Sequence, residues 1–333
     1  MRLGIIGVGR IGALHAETLH ALAEVDELVI TDADTARARQ LASQMDVAWA
    51  EDSDELLHGG TDGIVIATPT GAHAPLICAA VEAGVAVFCE KPVAGDVAAT
   101  REVVRVVENS GVQVQIGFQR RFDAGFASAR EQLQAGKLGW LHTVRAGTLD
   151  PAPPPASYVA TSGGIFRDCS VHDIDAVRWV SGREVSEVYA TGSNRGASFF
   201  SEAGDVDTAA AVATLDDGTL ALISATRYNA AGYDVRLELL GSLDSISVGL
   251  DDRLPLRSAE PGVTWPAGTG YTGFMDRFRA AYVAELQAFV EVVSGRATSA
   301  CSPADALETF YVAEACELSR KERRPVTVEE VRL

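Results

Sequence analysis

The stretch RLGIIGVGRIGAL, residues 2–14, constrains this chain more than any other. An apolar run ends in Gly-x-Gly-x-x-Gly at Gly7, Gly9 and Gly12, and an amphipathic stretch over 10–24 follows. In a strand that turns into a helix, each of these glycines has a physical purpose. Gly7 makes the tight turn, Gly9 lets backbone approach a pyrophosphate, and Gly12 allows close helix–strand packing. Arg10 and Ile11 lie on the turn between them. The helix start then offers its partial positive charge to phosphates. The competing reading, a glycine-rich turn with no ligand, is disfavoured by the flanking strand and helix patterns.

The pattern repeats over the first 118 residues. The Val/Ile/Leu runs RLGIIGV, ELVITD, GIVIAT, VAVFCE and VQVQIGF alternate with amphipathic stretches at 10–24, 34–45, 70–83 and 95–110. Near-continuous apolar strands separated by helices predict a parallel sheet covered on both faces, a doubly wound α/β domain of the Rossmann type. From residue 119 the texture changes. Strand-like segments follow closely at 139–149, 184–192, 206–215, 219–227, 233–240 and 243–248, with a turn signal in LDDGTL. Helices are expected at 123–135, 166–181, 273–294 and 302–322, the last with Ser302 as cap and Pro303 in its first turn. Residues 119–333 therefore read as an α+β domain with a large, mostly antiparallel open sheet, for substrate binding and oligomerisation. The C-terminal helix 302–322 is the segment that could pack back on the first domain. Two long loops, 150–164 and 251–272, are candidates for function.

A length of 333 residues suits two domains. The net charge of −18 argues against nucleic acid or an anionic membrane as partner, since both need a basic face. The first residues do not read as a signal peptide, and no apolar run reaches the roughly 18 residues of a membrane span. The five cysteines, Cys78, Cys89, Cys169, Cys301 and Cys316, lack CxxC spacing. Reduced thiols in a cytoplasmic protein are expected, and no metal site.

Asp32 ends the second strand, 20 residues after Gly12, where a carboxylate can bind adenosine ribose hydroxyls and repel a 2′-phosphate. NAD is therefore expected over NADP. Asp34 is read as the cap of the next helix. Lys91, in CEKPVAG, follows a strand end and precedes a proline, which favours an extended residue aimed at the crevice of an open α/β sheet. In GGIFRDCSVHDID, residues 163–175, Asp168 and His172 are i and i+4 and share a helix face. Asp175 falls on the same side and could hold the imidazole, while Asp173 is expected to face solvent. His15 and His20 are read as structural.

The glycine fingerprint, ATPTGAHA after GIVIAT, EKP after VAVFCE and GG…D…HDID near the middle together resemble the glucose–fructose oxidoreductase / inositol dehydrogenase / rhizopine-catabolism family. IGFQRRFD and DPAPPP are most similar to its inositol 2-dehydrogenase branch. The resemblance implies that Lys91, Asp168 and His172 are the catalytic set. It also implies that Thr68, Pro69, Thr70 and His73 line the cofactor, and Glu90 and Lys91 lie beside it. Gln119, Arg120 and Tyr233 are implied on the substrate side. Gln119 stands where that branch often has methionine, which leaves the polyol open. Homotetramers are common in the family, and a homo-oligomer is expected.

Oxidation of a secondary alcohol needs a base for the hydroxyl proton while hydride leaves to nicotinamide. Histidine suits the base, a carboxylate orients it, and a lysine stabilises developing alkoxide. The expected reaction is NAD-dependent oxidation of a cyclic polyol, with myo-inositol to scyllo-inosose as the best single choice. Scyllo-inositol or another sugar is the first alternative. An NAD-dependent glycosidase or a non-catalytic regulator is the second, and a regulator should have lost Lys91, Asp168 or His172.

Overall fold

The computed structural model describes residues 1–332. The described residues divide into two compact units, residues 1–119 with 280–308, and residues 120–279 with 309–332.

In the first unit, six parallel strands lie in the order β3-β2-β1-β4-β5-β6. They are β1 (Arg2–Ile6), β2 (Glu27–Thr31), β3 (Ala48–Trp49), β4 (Gly63–Ile66), β5 (Ala86–Glu90) and β6 (Val114–Gly117). The helices are α1 (Arg10–His20), α2 (Thr35–Met45), α3 (Ser53–His58), α4 (His73–Glu82) and α5 (Val97–Ser110). Strand order reverses between β1 and β4, so the crevice at their C-terminal ends is the natural ligand position. The core joins Leu3, Ile5, Ile30, Val65 and Phe88 of the sheet to Leu286, Phe289 and Val290. These last residues belong to the helix Arg279–Val293, which the sequence reading left in the second domain. Gly63 is why it can dock closely. A Cβ there would come within 2.7 Å of Val293 and 3.3 Å of Phe289.

The second unit holds a seven-stranded sheet in the order β12-β11-β7-β10-β9-β8-β13. Its strands are β7 (Leu141–Leu149), β8 (Val185–Ser193), β9 (Thr208–Leu215), β10 (Leu220–Thr226), β11 (Asp234–Gly241), β12 (Ser245–Val248) and β13 (Val326–Thr327). Among the described residues, β7 and β10 pair in parallel and the other pairings are antiparallel. Helix α6 (Ala124–Gln134) and the helix Val171–Ser181 pack beside this sheet. In β9 and β10 buried and exposed residues alternate strictly, and Val212, Leu220 and Leu222 are left exposed. Within one chain, this face is open.

Candidate active site

The strand ends of the first unit assemble a dinucleotide cradle. Gly7 turns with φ +93°, and a Cβ would sit 2.8 Å from the Ala67 carbonyl oxygen. A Cβ on Gly12 would land on the Gly7 carbonyl oxygen, which accounts for close helix–strand packing. Gly9 differs. Its φ is −66°, open to any residue, and a Cβ would meet no protein atom within 4 Å. The protein itself does not require glycine there; an approaching ligand would. No side chain caps the start of α1 and no acidic residue lies in its first turn, so the site is suited to an anion. The Thr68 hydroxyl is buried with no hydrogen-bond partner inside the protein. An open cradle and an orphaned buried hydroxyl fit a bound dinucleotide.

Asp32 is nearly buried, and its carboxylate accepts from Val8 N at 2.7 Å and Asp34 N at 2.8 Å. It therefore ties the fingerprint turn to the end of β2. Asp34 caps α2 through Arg37 N at 3.2 Å. Arg37 on α2 comes back to 3.6 Å from Asp32. His73, at the start of α4, is buried between two backbone carbonyls, Thr68 O at 2.9 Å and Pro92 O at 2.7 Å. It joins the Thr68–Thr70 loop to the loop that carries Lys91. Pro69 leads into the short turn Thr70–Ala72 on the same loop. Lys91 is half-buried, one residue beyond β5, and its bond to Pro92 is cis.

Glu90, expected beside the cofactor, receives His15 Nε2 at 2.7 Å. His15 is fully buried on α1 against the rings of Phe88 and Tyr282. This pair fastens the fingerprint helix to the end of β5. It gives His15 a specific partner that the sequence reading did not anticipate.

In the second unit the motif 163–175 departs from one regular helix. Residues Phe166–Ser170 form a π-helical turn and an α-helix runs over Val171–Ser181. Such turns recur at functional sites. Asp168 lies in the π turn and His172 in the first α turn, so the expected pair straddles the junction.

Two expectations are corrected. Asp173 is not solvated but fully buried, with Arg120 Nη1 donating to it at 2.6 Å and Thr148 Oγ1 at 2.8 Å. Burial pushes its carboxyl above the usual range, with Arg120 and Thr148 holding it down. Asp175 does not hold the imidazole. Arg121 takes it with two bonds, at 2.6 and 3.0 Å, and Thr309 adds its hydroxyl at 3.3 Å. The periodicity placed these carboxylates by face alone; their arginine partners lie more than 50 residues upstream and draw both inward.

The Arg120 guanidinium lies in the interior, with Nη1 on Asp173 and Nη2 on Thr148, each at 2.6 Å. Gln119, the last residue of the first unit's opening segment, is also buried. Tyr233 is buried with its ring edge-on to Phe278, and burial pushes its phenol well up.

Asp168 receives the same kind of donors as its two neighbours, a guanidinium and a hydroxyl, but remains partly accessible. Arg227 Nη2 donates to Oδ2 at 2.6 Å and Tyr158 Oη to Oδ1 at 2.7 Å. Arg227 also holds Asp150 at 2.7 Å. His172 is partly accessible as well. Arg167, the other charged side chain of the π turn, is engaged by Glu314. The clustering in the motif thus separates into interior ion pairs at Asp173 and Asp175 and an accessible couple at Asp168 and His172. Sequence reasoning missed Arg227 and Tyr158. Tyr158 lies in a loop already marked as unusually long, whereas nothing local marks Arg227.

Comparison with known proteins places this architecture. Residues 1–118 match the model of an oxidoreductase family with an NAD-binding Rossmann fold, and residues 126–247 match the GFO/IDH/MocA C-terminal domain. The chain is thus an NAD-dependent oxidoreductase. It belongs to the glucose–fructose oxidoreductase / inositol dehydrogenase / rhizopine-catabolism family. It is 40% identical over 296 residues to the myo-inositol dehydrogenase Hyg17 of Streptomyces leeuwenhoekii, covering 89% of each chain. It is 35% identical to myo-inositol 2-dehydrogenase of Thermotoga maritima, covering 99% of each. Among solved structures, scyllo-inositol dehydrogenase of Lactobacillus casei, with bound NAD(H) and scyllo-inositol, superimposes with a TM-score of 0.89 at 30% identity, covering 99% of each chain.

Proposed function

We propose that this protein oxidises a secondary alcohol of a cyclic polyol with NAD, and that myo-inositol, converted to scyllo-inosose, is the substrate that fits best. The observation that carries this reading is the donor set on Asp168 within a chain whose near-full-length relatives are named inositol dehydrogenases. The likeness to an enzyme named for scyllo-inositol supports that isomer as the second reading.

The fingerprint turn around Gly7, Gly9, Arg10, Ile11 and Gly12, with Asp32, Thr68, Pro69, Thr70 and His73, would hold the dinucleotide. When bound, its nicotinamide supplies the hydride acceptor. Asp168, flanked by a guanidinium and a phenol, accepts a hydrogen bond from a substrate hydroxyl. His172 takes the proton from the reacting hydroxyl, and the Lys91 ammonium stabilises the developing alkoxide. Gln119 and Tyr233 shape the substrate side from buried positions. Retention of Lys91, Asp168 and His172 disfavours a non-catalytic regulator. The open apolar face at Val212, Leu220 and Leu222 supports self-association, with a homotetramer as the expected state. Five cysteines, an odd number without CxxC spacing, support a cytoplasmic location.

The test is NADH absorbance with purified protein, NAD or NADP, and myo-, scyllo- and chiro-inositol, glucose and xylose. NADH formation with an inositol is the expected result. Intact NAD binding with silence across the panel would overturn the polyol assignment and direct attention to glycosides.

A further inference from the structure

Three aspartates of one short motif each receive an arginine and a hydroxyl, and two of them are sealed inside. At Asp173 and Asp175 the hydroxyl comes from a threonine in the interior. At Asp168 it comes from Tyr158, a residue about half exposed, at 47%. A carboxylate needed only for stability has no use for an exposed phenol on a loop.

The loop is built to present that phenol. Residues 151–155 are Pro-Ala-Pro-Pro-Pro, and proline fixes φ and removes conformational freedom. One helical turn, Ala156–Val159, follows at once, with Tyr158 N bonded to Pro155 O at 2.9 Å. Arg227 clasps both ends of the segment, Asp150 at its start and Asp168 at its close. The loop is thereby pinned at its start, middle and end by groups that converge on one carboxylate.

We propose that Tyr158, together with Arg227, is a positioning residue for the reaction, fixing Asp168 as an ionised acceptor of a substrate hydroxyl and not as a proton donor. This rests on the reading of Asp168 as a substrate-facing group. A carboxylate that takes a phenol hydrogen on one oxygen and a guanidinium on the other is favoured in its charged form, in which it can only accept. The substrate proton is then left to His172 and Lys91. The stiff loop couples recognition of the ring hydroxyl to the geometry of Asp168.

The experiment compares Tyr158→Phe, Asp168→Asn and the unmodified protein in steady-state assays with myo-inositol and NAD. Tyr158→Phe removes only the hydroxyl. The expected result is a fall of about tenfold in kcat/KM for the polyol, the size of one lost hydrogen bond to a charged group, with KM for NAD and Tm unmoved. Arg227→Lys, which keeps the charge but loses the planar fork, should lose more. Unchanged kinetics in Tyr158→Phe while Asp168→Asn is inactive would overturn the positioning role and leave the catalytic reading standing. Full activity in Asp168→Asn would overturn both. A fall in Tm or a parallel rise in KM for NAD in Tyr158→Phe would mark the residue as structural and refute the proposal.

Discussion

Asp173 and Arg120 form a closed, fully buried ion pair 2.6 Å apart, and Thr148 bridges the second carboxylate oxygen back to the same guanidinium. Removing one partner leaves a charge stranded in a low-dielectric interior, at a cost of about 3–5 kcal/mol. Arg120→Met or Asp173→Asn should therefore lower the urea midpoint sharply. The double variant Arg120→Met/Asp173→Leu should be milder than the sum, because neither charge is then left alone. Asp168→Asn should shift stability far less while abolishing turnover. Equal destabilisation by Asp168→Asn and Asp173→Asn would refute this division of labour.

The glycine fingerprint separates into glycines needed by the fold and one needed by a ligand. Gly12→Ala drives a methyl group into the Gly7 carbonyl and should destabilise the apoprotein by about 2 kcal/mol. Gly9→Ala meets no protein atom at a permissive φ and should leave the apoprotein Tm unchanged. Its cost should appear in the Kd for NAD, as a rise of about tenfold or more. Thermal melts with and without NAD read both effects, and a Gly9→Ala variant that binds NAD normally would contradict the assignment of the cradle.

Most of the architecture was legible because it is written in local pattern. Strands such as GIVI are continuous apolar runs, and they recur between amphipathic helical stretches through the first unit. What escaped is short or long-range. The two-residue strands β3 and β13 are too brief to carry a periodicity, and the π turn at Phe166–Ser170 has no signature in residue spacing. The return of residues 280–308 to the first unit depends on Gly63 admitting Phe289 and Val293, a contact across more than 200 positions. In the candidate site, the place of Lys91 just beyond β5 and of Asp168 and His172 on successive helical turns follows the motifs. The inward turn of Asp173, Asp175 and Arg120 was not, since it depends on which partner each one meets.

Acid should weaken a tie in the 251–272 region. Arg253 donates to both oxygens of Asp276, at 2.7 and 3.0 Å, and with Thr272 holds its carboxyl at about 2, below the ordinary 3.8. A carboxyl depressed in the folded state adds stability that is complete above its unfolded value. That stability drains away as pH falls from about 4 towards 2. The pair is half-exposed, so its worth is small and reduced by salt. Asp276→Asn should accordingly lower Tm slightly at pH 7 and by less near pH 2. A Tm difference that grows on acidification would reverse the sign and sink the argument.

Cofactor preference should hinge on the charge of Asp32 rather than on its shape. Its carboxylate accepts from Val8 N and Asp34 N, and Arg37 waits 3.6 Å away. Asp32→Asn keeps an acceptor oxygen for the turn while removing the charge that repels a 2′-phosphate. It also releases Arg37 from its nearest buried carboxylate, leaving a guanidinium suited to phosphate on the same edge. The ratio of kcat/KM for NAD over NADP should fall by at least about tenfold, the worth of one close charge at a partly solvated site. Adding Arg37→Ala should restore much of the discrimination by removing the released cation. If Asp32→Asn leaves the ratio unchanged, preference for NAD does not come from this carboxylate, and its role is confined to bracing the fingerprint turn against β2.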